Sequence, residues 1–281
     1  MRFLRVKSAA ARLPLERNSG AVEEPVPETE FPPFPRHLFA IVSWGAAATR
    51  WLAKTLNSHP EIFATHHLQN TIGEASLNGQ RILRAIAFLS KAYIAGGDVH
   101  GIAREEIPAL RHLLGERLVS VVLVREPIAR LKSQFAFFDA YAHTRHWTGL
   151  EYLYPLLSNV GLTKKDVFYN QLLVMHGASL LNCIVQERSV GRIYRSEDLT
   201  SDAETLATLV TELSQGAITP SEEWTRAALA TSRANVRVGS DEYVLTDWHK
   251  HVIRTIVEPR AWALYEELGY ERPDFVRSTE I

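Results

Sequence analysis

Short apolar runs, separated by longer segments of helical periodicity, occupy the chain from residue 37 onwards. A run of four to eight apolar residues between turn signals is typical of a strand buried on both faces, as in a parallel sheet. The clearest run is LVSVVLV, which holds four valines and two leucines. By this pattern we predict strands at 37–43, 62–67, 98–103, 118–124 and 191–195.

Between these runs, apolar residues recur at helical spacing. Trp51, Leu52, Thr55 and Leu56 share one helix face, and the sequence NSHP at 57–60 predicts the end of that helix. Strands that alternate with helices predict one three-layer α/β domain, in which helices cover both faces of a mainly parallel sheet. We predict further helices over 72–96, between 125 and 154 with an interruption from 135, over 202–215 and over 249–268.

A segment of different composition precedes this domain. Proline recurs through VEEPVPETEFPPFP at 22–35, where it removes backbone donors and fixes φ, so neither a helix nor a central strand can persist. The first 20 residues are basic and have no acid before Glu16, which is a weak similarity to a transit peptide; a plain solvated leader is the alternative. We predict a proline-rich, disordered leader over 1–36 and a folded domain over 37–281.

Composition and charge narrow the classes of function. The formal net charge of -1 gives no long-range attraction to nucleic acid or to an anionic membrane, so any anion must be held by local contacts. Cys183 is the single cysteine, which excludes an internal disulfide and a cysteine zinc site. No apolar run is long enough to span a bilayer. We therefore expect a cytoplasmic protein without a transmembrane segment.

The segment SWGAAATRW, residues 43–51, joins the first predicted strand to the first predicted helix. Ligands of parallel sheets bind beyond the carboxyl ends of the strands, and small side chains let an anion approach the unpaired amides of a helix N-terminus. Thr49 adds a hydroxyl donor. Tight packing of the helix on the sheet is the alternative role for the small residues, which are Gly45, Ala46, Ala47 and Ala48. An ATP-binding P-loop is not expected, because no Gly-Lys-Ser/Thr follows.

A second anion-seeking turn follows the strand at 118–124. In VREPIARLKS, Arg125 stands at the tip of the strand and Ser133 follows eight residues later. A guanidinium and a hydroxyl so placed can hold one phosphate group. The alternative is an ion pair between Arg125 and a neighbouring acid such as Glu126. Two such turns at one sheet edge indicate a ligand with two separated phosphate-like groups.

In these and two further segments the sequence resembles the sulfotransferase family, which transfers the sulfuryl group of 3′-phosphoadenosine 5′-phosphosulfate (PAPS). The family's turn, Lys/Arg-Ser-Gly-Thr-Thr, and its helix ending in His-Pro are matched by GAAATRWLAKTLNSHP. The Arg-Asp/Asn-Pro element with its later serine, the Tyr-Glu-Asp-Leu element and the Leu-Gly-Tyr element are matched by VREPIARLKS, YRSEDL and YEELGYERP. The resemblance implies a P-loop-NTPase-like sulfotransferase fold, with PAPS as co-substrate and no metal.

The resemblance also assigns the cofactor-binding residues. Thr49 and the amides of residues 47–50 would bind the 5′-phosphosulfate, and Arg125 and Ser133 the 3′-phosphate. Trp51 would stack on adenine, with a core position as the alternative. In SRANVRVG at 232–239, a segment that corresponds to a basic loop of the family, Arg233 would reach the 3′-phosphate, together with Ser232 and Arg237.

The chain departs from the family pattern where charge matters most. The turn Lys/Arg, which neutralises the bridging oxygen as the bond to sulfur breaks, is replaced by Ala46. Loss of one preorganised donor of this kind typically costs about 2.7–4 kcal/mol. We expect Arg50 to substitute for it, with Lys54 as the weaker candidate. Ala48 occupies the glycine position, and a left-handed backbone there would cost about 1–2 kcal/mol.

A base is needed to remove the proton of an acceptor hydroxyl. Histidine suits this role, because its ordinary pKa near 6.5 lets it accept a proton at neutral pH. The position of the base in two family branches corresponds to His67 and to His100, which we place first and second, with His66 third. The motifs HTRH (143–146) and HKH (249–251) lack additional ligands, so no metal site is expected. The aromatic stretch 135–147 either lines an acceptor pocket or belongs to a helix core.

The sequence therefore predicts an enzyme, a sulfotransferase that moves the sulfuryl group from PAPS to a hydroxyl acceptor such as a carbohydrate, a lipid or a small metabolite. The alternative is a catalytically impaired protein that keeps the fold and binds the nucleotide, or acts as an interaction protein, without the turn Lys/Arg. The sequence selects neither the acceptor nor the oligomeric state.

Overall fold

A parallel sheet forms the centre of the protein in a computed structural model that describes residues 36–44, 46–68, 78–141, 149–232 and 242–277. Its strand order is β2-β3-β1-β4-β5, and every pairing is parallel. The strands are His37–Val42 (β1), Ile62–His66 (β2), Ala95–Val99 (β3), Leu118–Val124 (β4) and Arg192–Arg195 (β5).

The central strand β1 shows why both faces of the sheet are covered. Its side chains alternate between two separate apolar clusters: Leu38, Ala40 and Val42 belong to one, and Phe39 and Ile41 to the other. Successive residues of a strand point to opposite faces, so an all-apolar strand needs helices on both sides. The prediction of an α/β protein with a parallel sheet between two apolar layers is confirmed.

Helices surround the sheet. In the described residues the α-helices are Thr49–Asn57 (α1), Gly79–Leu89 (α2), Ile107–Leu114 (α3), Pro127–Tyr141 (α4), Tyr169–Ser179 (α5), Ile184–Glu187 (α6), Ser196–Ser201 (α7), Ala203–Leu213 (α8), Glu222–Ser232 (α9), Asp247–Ile256 (α10), Pro259–Glu267 (α11) and Asp274–Arg277 (α12). Short 3₁₀ helices lie at Arg104–Glu106, Gly115–Arg117, Glu151–Leu156, Ser158–Val160 and Leu180–Cys183. None of the helices within these described ranges is long and apolar enough to cross a bilayer.

Two predicted boundaries are wrong for identifiable reasons. The third strand is Ala95–Val99 rather than 98–103, and helix α2 ends at Leu89 rather than at 96. The strand begins AGG, and glycines hide a strand signal; a Cβ on Gly97 would lie 2.3 Å from the carbonyl oxygen of Phe39, so the close approach of β1 requires glycine. The predicted helix at 249–268 is two helices, because Pro259 starts α11 after a break.

The connections define one crevice at the edge of the sheet. After β1 the chain runs to β2 on one side of β1, and after β4 it runs to β5 on the other side. Ligands of open parallel sheets bind outside the carboxyl ends of the strands at such a reversal. The turns after β1 and β4 are those in which the sequence predicts anion binding. The predicted leader lies outside the described residues, apart from Arg36.

Candidate functional site

The turn between β1 and α1 has the backbone of an anion site. Ala46 and Ala48 adopt left-handed conformations, with φ of 53° and 59°. Ala48 is the N-cap of α1, makes no side-chain capping bond, and no acid stands in the first turn. The first amides of α1 therefore have no helical partner and no capping side chain, at the positive end of the helix dipole. Gly45 lies outside the described residues.

Arg125 joins this turn to the end of β4. Its Nη1 donates a hydrogen bond to the carbonyl oxygen of Ala46, at 3.1 Å. The carboxylate of Glu126 accepts instead from the amide of Ile128, at 2.9 Å, and from the amide of Ala129. The alternative role for Arg125, an ion pair with Glu126, is not formed between these two described residues. The two turns predicted to bind anions are thus in direct contact.

Three histidines lie beside this turn, at the ends of β2 and β3. The ring centroids of His67 and His100 are 5.2 Å apart, those of His66 and His100 are 6.1 Å apart, and those of His66 and His67 are 6.5 Å apart. His66 Nε2 lies 3.1 Å from Thr49 Oγ1. The predicted base candidates and the predicted phosphosulfate-binding threonine therefore form one contiguous group.

The ring of His100 is fixed by the backbone of the same turn. Its Nδ1 donates a hydrogen bond to the carbonyl oxygen of Ser43, which requires the tautomer with the proton on Nδ1 and leaves a lone pair on Nε2. Burial lowers the pKa of His100 to about 4, against the opposing effect of this hydrogen bond. Burial, and then the charges of His100, Arg50 and His67, lower the pKa of His66 to about 4. Burial also lowers the pKa of His67, while the charge of Asp98 raises it.

Backbone strain is concentrated at this edge of the sheet. Five residues other than glycine have positive φ within the described part of the chain, and four of them belong to this group: Ala46, Ala48, His67 and His100. Left-handed backbone at a residue with a Cβ costs about 1–2 kcal/mol and persists where the surrounding structure imposes it, often at functional sites. Strained turns therefore follow β1, β2 and β3 at the carboxyl ends of these neighbouring strands.

Two residues that the sequence did not single out hold the Arg125 turn in place. Glu197 Oε1 accepts from the amide of Glu126 at 2.9 Å, and Glu197 Oε2 accepts from the hydroxyl of Tyr270 at 2.8 Å. The segments VREP, YRSEDL and LGY thus meet through one carboxylate. In the sequence these three segments appear only as separate matches to sulfotransferase motifs, and nothing in the pattern indicates that they meet.

The buried guanidinium of Arg130 contacts the start of the turn between β1 and α1. Arg130, on α4, is only 4% exposed and its Nη2 donates to the carbonyl oxygen of Trp44 at 3.4 Å. The guanidinium of Arg104 lies 5.1 Å from the centre of the Trp44 ring. Nearby Glu187 is also buried, and its burial raises its pKa to about 7, against the opposing charges of Arg130 and Arg104. These residues could not be singled out from the sequence, because a single buried charge on an apolar helix face produces no periodic pattern.

Some predicted residues occupy positions that do not fit their roles. Trp51 is 4% exposed within the second apolar cluster, so it is a core residue and offers no ring face for stacking. Ser133, on α4, is about as buried as Thr49, so burial alone does not decide its role. Arg50 is exposed and its charge acts on His66, which is compatible with its predicted role. Phe135 and Phe138, in the predicted acceptor stretch, are core residues of α4.

Several residues of the sequence analysis lie outside the described residues. Arg233, Arg237 and the HTRH motif lie outside the described residues. In the described ranges no group of three or more His, Cys, Asp or Glu side chains is arranged to hold a metal ion.

No family model matches the chain, and a comparison with curated proteins finds no match either. The assignment of a function therefore depends on the geometry of the site and on the motifs in the sequence.

Proposed function

We propose that the protein is a PAPS-dependent sulfotransferase of the P-loop-NTPase-like type, acting on a hydroxyl-bearing acceptor. One observation carries the proposal: the uncapped N-terminus of α1, the Arg125 guanidinium and the histidine cluster lie together at the carboxyl edge of the sheet. Thr49 touches His66, and Arg125 touches Ala46. Anion-binding groups and proton acceptors are the two requirements of sulfuryl transfer, by analogy with phosphoryl transfer.

The phosphosulfate end of PAPS fits the residues of the turn. The first amides of α1 and the Thr49 hydroxyl supply donors, and Ala46 and Ala48 add no bulky side chain to the turn, while Ala47 packs in the second apolar cluster. Arg125 keeps further N–H groups beyond the one bound to Ala46, and these are available to a phosphate. Trp51 is not the adenine platform, because it is buried. When bound, PAPS supplies the sulfuryl group; the protein supplies the anion contacts and the base.

Among the three histidines, His100 has the orientation that a base requires. Its Nδ1–H is committed to Ser43 and its Nε2 carries the lone pair, so it can take the proton of an acceptor hydroxyl as that oxygen bonds to sulfur. His66 is engaged with Thr49 through Nε2. His67, first among the candidates from the sequence, lies beside both rings and becomes the second candidate.

Arg50 is the proposed substitute for the missing turn cation. It is the second residue of α1, it is exposed, and its charge lowers the pKa of His66, which places it near the histidine cluster. A guanidinium there would stabilise charge on the departing phosphate.

The decisive experiment measures binding and transfer separately. Calorimetric titration with 3′-phosphoadenosine 5′-phosphate (PAP), the desulfated product, tests the nucleotide site, and transfer of ³⁵S from PAPS to a panel of sugars, phenols and lipids tests the reaction. We expect Arg50→Ala to reduce transfer by about 100-fold or more, the usual effect of removing one charge-stabilising donor. Lys54→Ala, on the same helix and also exposed, tests the weaker candidate, and Arg226→Ala, on the exposed surface of α9, is the control. Absence of PAP binding by the wild-type protein would exclude the proposal.

A catalytically impaired nucleotide-binding protein is the second candidate, and Ala46 is the observation that favours it. The residue at this position carries no charge, and its backbone is already strained. Under this alternative the wild-type protein binds PAP without transferring sulfate to any acceptor, and Ala46→Lys introduces transfer. If the wild-type protein is active and Ala46→Lys adds nothing, the impaired form is excluded.

A further inference from the structure

A buried carboxylate links the turns that carry two of the histidines. Asp98, on β3, is completely buried and lies opposite Thr65 and Ala40 in the register of the sheet. Ala40 belongs to an apolar cluster, so the pattern of this face calls for an apolar side chain rather than a charge. An ionised group in such a place is costly unless it is hydrogen-bonded, which points to a specific role.

The hydrogen bonds of Asp98 reach both turns. Its Oδ2 accepts from Thr65 Oγ1 at 2.6 Å and from the amide of Leu68 at 3.1 Å, and its Oδ1 accepts from the amide of Gly101 at 2.5 Å. All three partners donate, as they would to an ionised acid; burial raises the pKa of Asp98, and these hydrogen bonds and the charge of His67 oppose that rise. Thr65 and Leu68 flank His67, and Gly101 follows His100. The carboxylate therefore connects the two turns in which the histidine backbones are left-handed.

Gly101 shows how closely the carboxylate is fitted. A Cβ at this position would lie 2.2 Å from Asp98 Oδ1, a distance that no side chain can keep without displacing the carboxylate. Glycine is thus required by the approach of Asp98 rather than by its own φ. His67 lies near Asp98, His66 and His100, and the Asp98 charge raises the pKa of His67.

We propose that Asp98 is a positioning residue that holds His67 and His100 in strained conformations facing the anion-binding turn. Its hydrogen bonds fix the turn after β2 and the turn after β3 against each other. The positioning of the two histidine turns by Asp98 stands on these hydrogen bonds, and its consequence for catalysis rests on the proposed function.

The test uses Asp98→Asn, which keeps the size of the side chain, removes its charge and places an NH₂ group where either the Leu68 amide or the Gly101 amide needs an acceptor. In ¹⁵N-labelled protein we expect the pKa of His67 to fall and the Leu68 and Gly101 amide resonances to move. Asp202→Asn is the matched control, because Asp202 also accepts from backbone amides but caps α8. A variant that only loses stability would leave the titration of His67 in the folded protein unchanged.

A second variant covers the case in which Asp98→Asn does not fold. Gly101→Ala keeps the charge but forces the carboxylate to move, so the Leu68 amide resonance and the titration of His67 must change. Normal resonances and titration in whichever variant folds would overturn the positioning role.

Activity gives an independent readout. If the wild-type protein transfers sulfate, Asp98→Asn should lower kcat by about 10- to 100-fold, the range found for residues that orient metal ligands, with the KM for PAPS nearly unchanged. An equal kcat would overturn the catalytic consequence. If the wild-type protein is inactive, the proposed function fails, whereas the resonance measurements still decide the role of Asp98.

Discussion

Thr49 Oγ1 lies 3.1 Å from His66 Nε2, so the first residue of α1 contacts the last residue of β2. The contact joins the turn proposed to bind an anion to the histidine cluster. If a bound anion accepts a hydrogen bond from Thr49, the same hydroxyl has two partners, the anion and His66. A hydroxyl can donate once and accept as well, so a neutral His66 that donates from Nε2 leaves the Thr49 proton for the ligand.

This arrangement predicts that the Thr49 hydroxyl is a ligand of the nucleotide. Thr49→Val preserves the shape of this buried side chain and removes the donor, while Thr49→Ser keeps the donor. A hydrogen bond to a charged group contributes about 1.5–3 kcal/mol, so Thr49→Val should weaken PAP binding by about 10- to 100-fold in calorimetry. Thr49→Ser should bind PAP nearly as the wild type does. Equal affinities for all three proteins would remove Thr49 from the site.

The strained backbone at Ala48 makes a second prediction, which concerns stability. Ala48→Gly relieves a left-handed conformation that costs about 1–2 kcal/mol. Glycine also gives the unfolded chain more conformational entropy, which lowers the free energy of unfolding by about 0.4–1 kcal/mol. We expect a net gain of up to about 1 kcal/mol in the free energy of unfolding, measured in urea. Ala53→Gly, in the interior of α1, should instead lose about 1 kcal/mol. A loss in both variants would contradict the strain at Ala48.

Arg125 provides a prediction specific to the 3′-phosphate. A lysine cannot form the paired hydrogen bonds of a guanidinium, so Arg125→Lys should weaken PAP binding by about 10-fold or more. Binding of 5′-AMP, which lacks the 3′-phosphate, should change by less than about threefold. Arg226→Lys, on the exposed surface of α9, controls for the substitution itself. Equal losses for both nucleotides would show that Arg125 acts only through its contact with Ala46.

Much of the fold could be predicted from the sequence, because buried parallel strands have a simple pattern. Strand β4 was predicted at its observed limits, since it is an uninterrupted run of branched apolar residues. Strand β3 was misplaced, because Gly96 and Gly97 carry no apolar signal; Gly97 is required by the close approach of the β1 backbone. Helix α11 was joined to α10 because the apolar periodicity continues across Pro259.

The residues of the candidate site likewise fall into those that the sequence could locate and those that it could not. Thr49, Arg125 and the histidines could be located because strand ends of a parallel sheet meet at one edge, which the order of elements already implies. Asp98, Glu197 and Arg130 could not, because their importance comes from partners distant in the chain. Trp51 was assigned to the ligand by analogy with a family, but the apolar face of its own helix already indicated the core.

The low pKa values of His66 and His100, about 4 in each case, predict a pH dependence of stability. In the unfolded chain a histidine titrates near 6.5, so between pH 6.5 and about 4 the unfolded state binds more protons than the folded state. The contribution of these two histidines to the free energy of unfolding should therefore fall as the pH falls through this window, with no further loss below it, whereas Glu187, whose pKa is raised to about 7, contributes in the opposite direction. The pKa values of His59, His67, His176 and His249 are also lowered, chiefly by burial, so they contribute to the same slope.

His100→Asn isolates one contribution to this slope. Asparagine can still donate to the Ser43 carbonyl in place of Nδ1, and it tolerates the left-handed backbone at this position, where φ is 76°. We expect the variant to lose less stability than the wild type between pH 7.5 and 4.5 in urea titrations, because it no longer has a proton to take up on unfolding. His251→Asn, on α10 outside the cluster, controls for the substitution itself. If His100→Asn and the wild type lose stability in parallel, His100 is not held neutral by its burial, and its assignment as the base loses its electrostatic support.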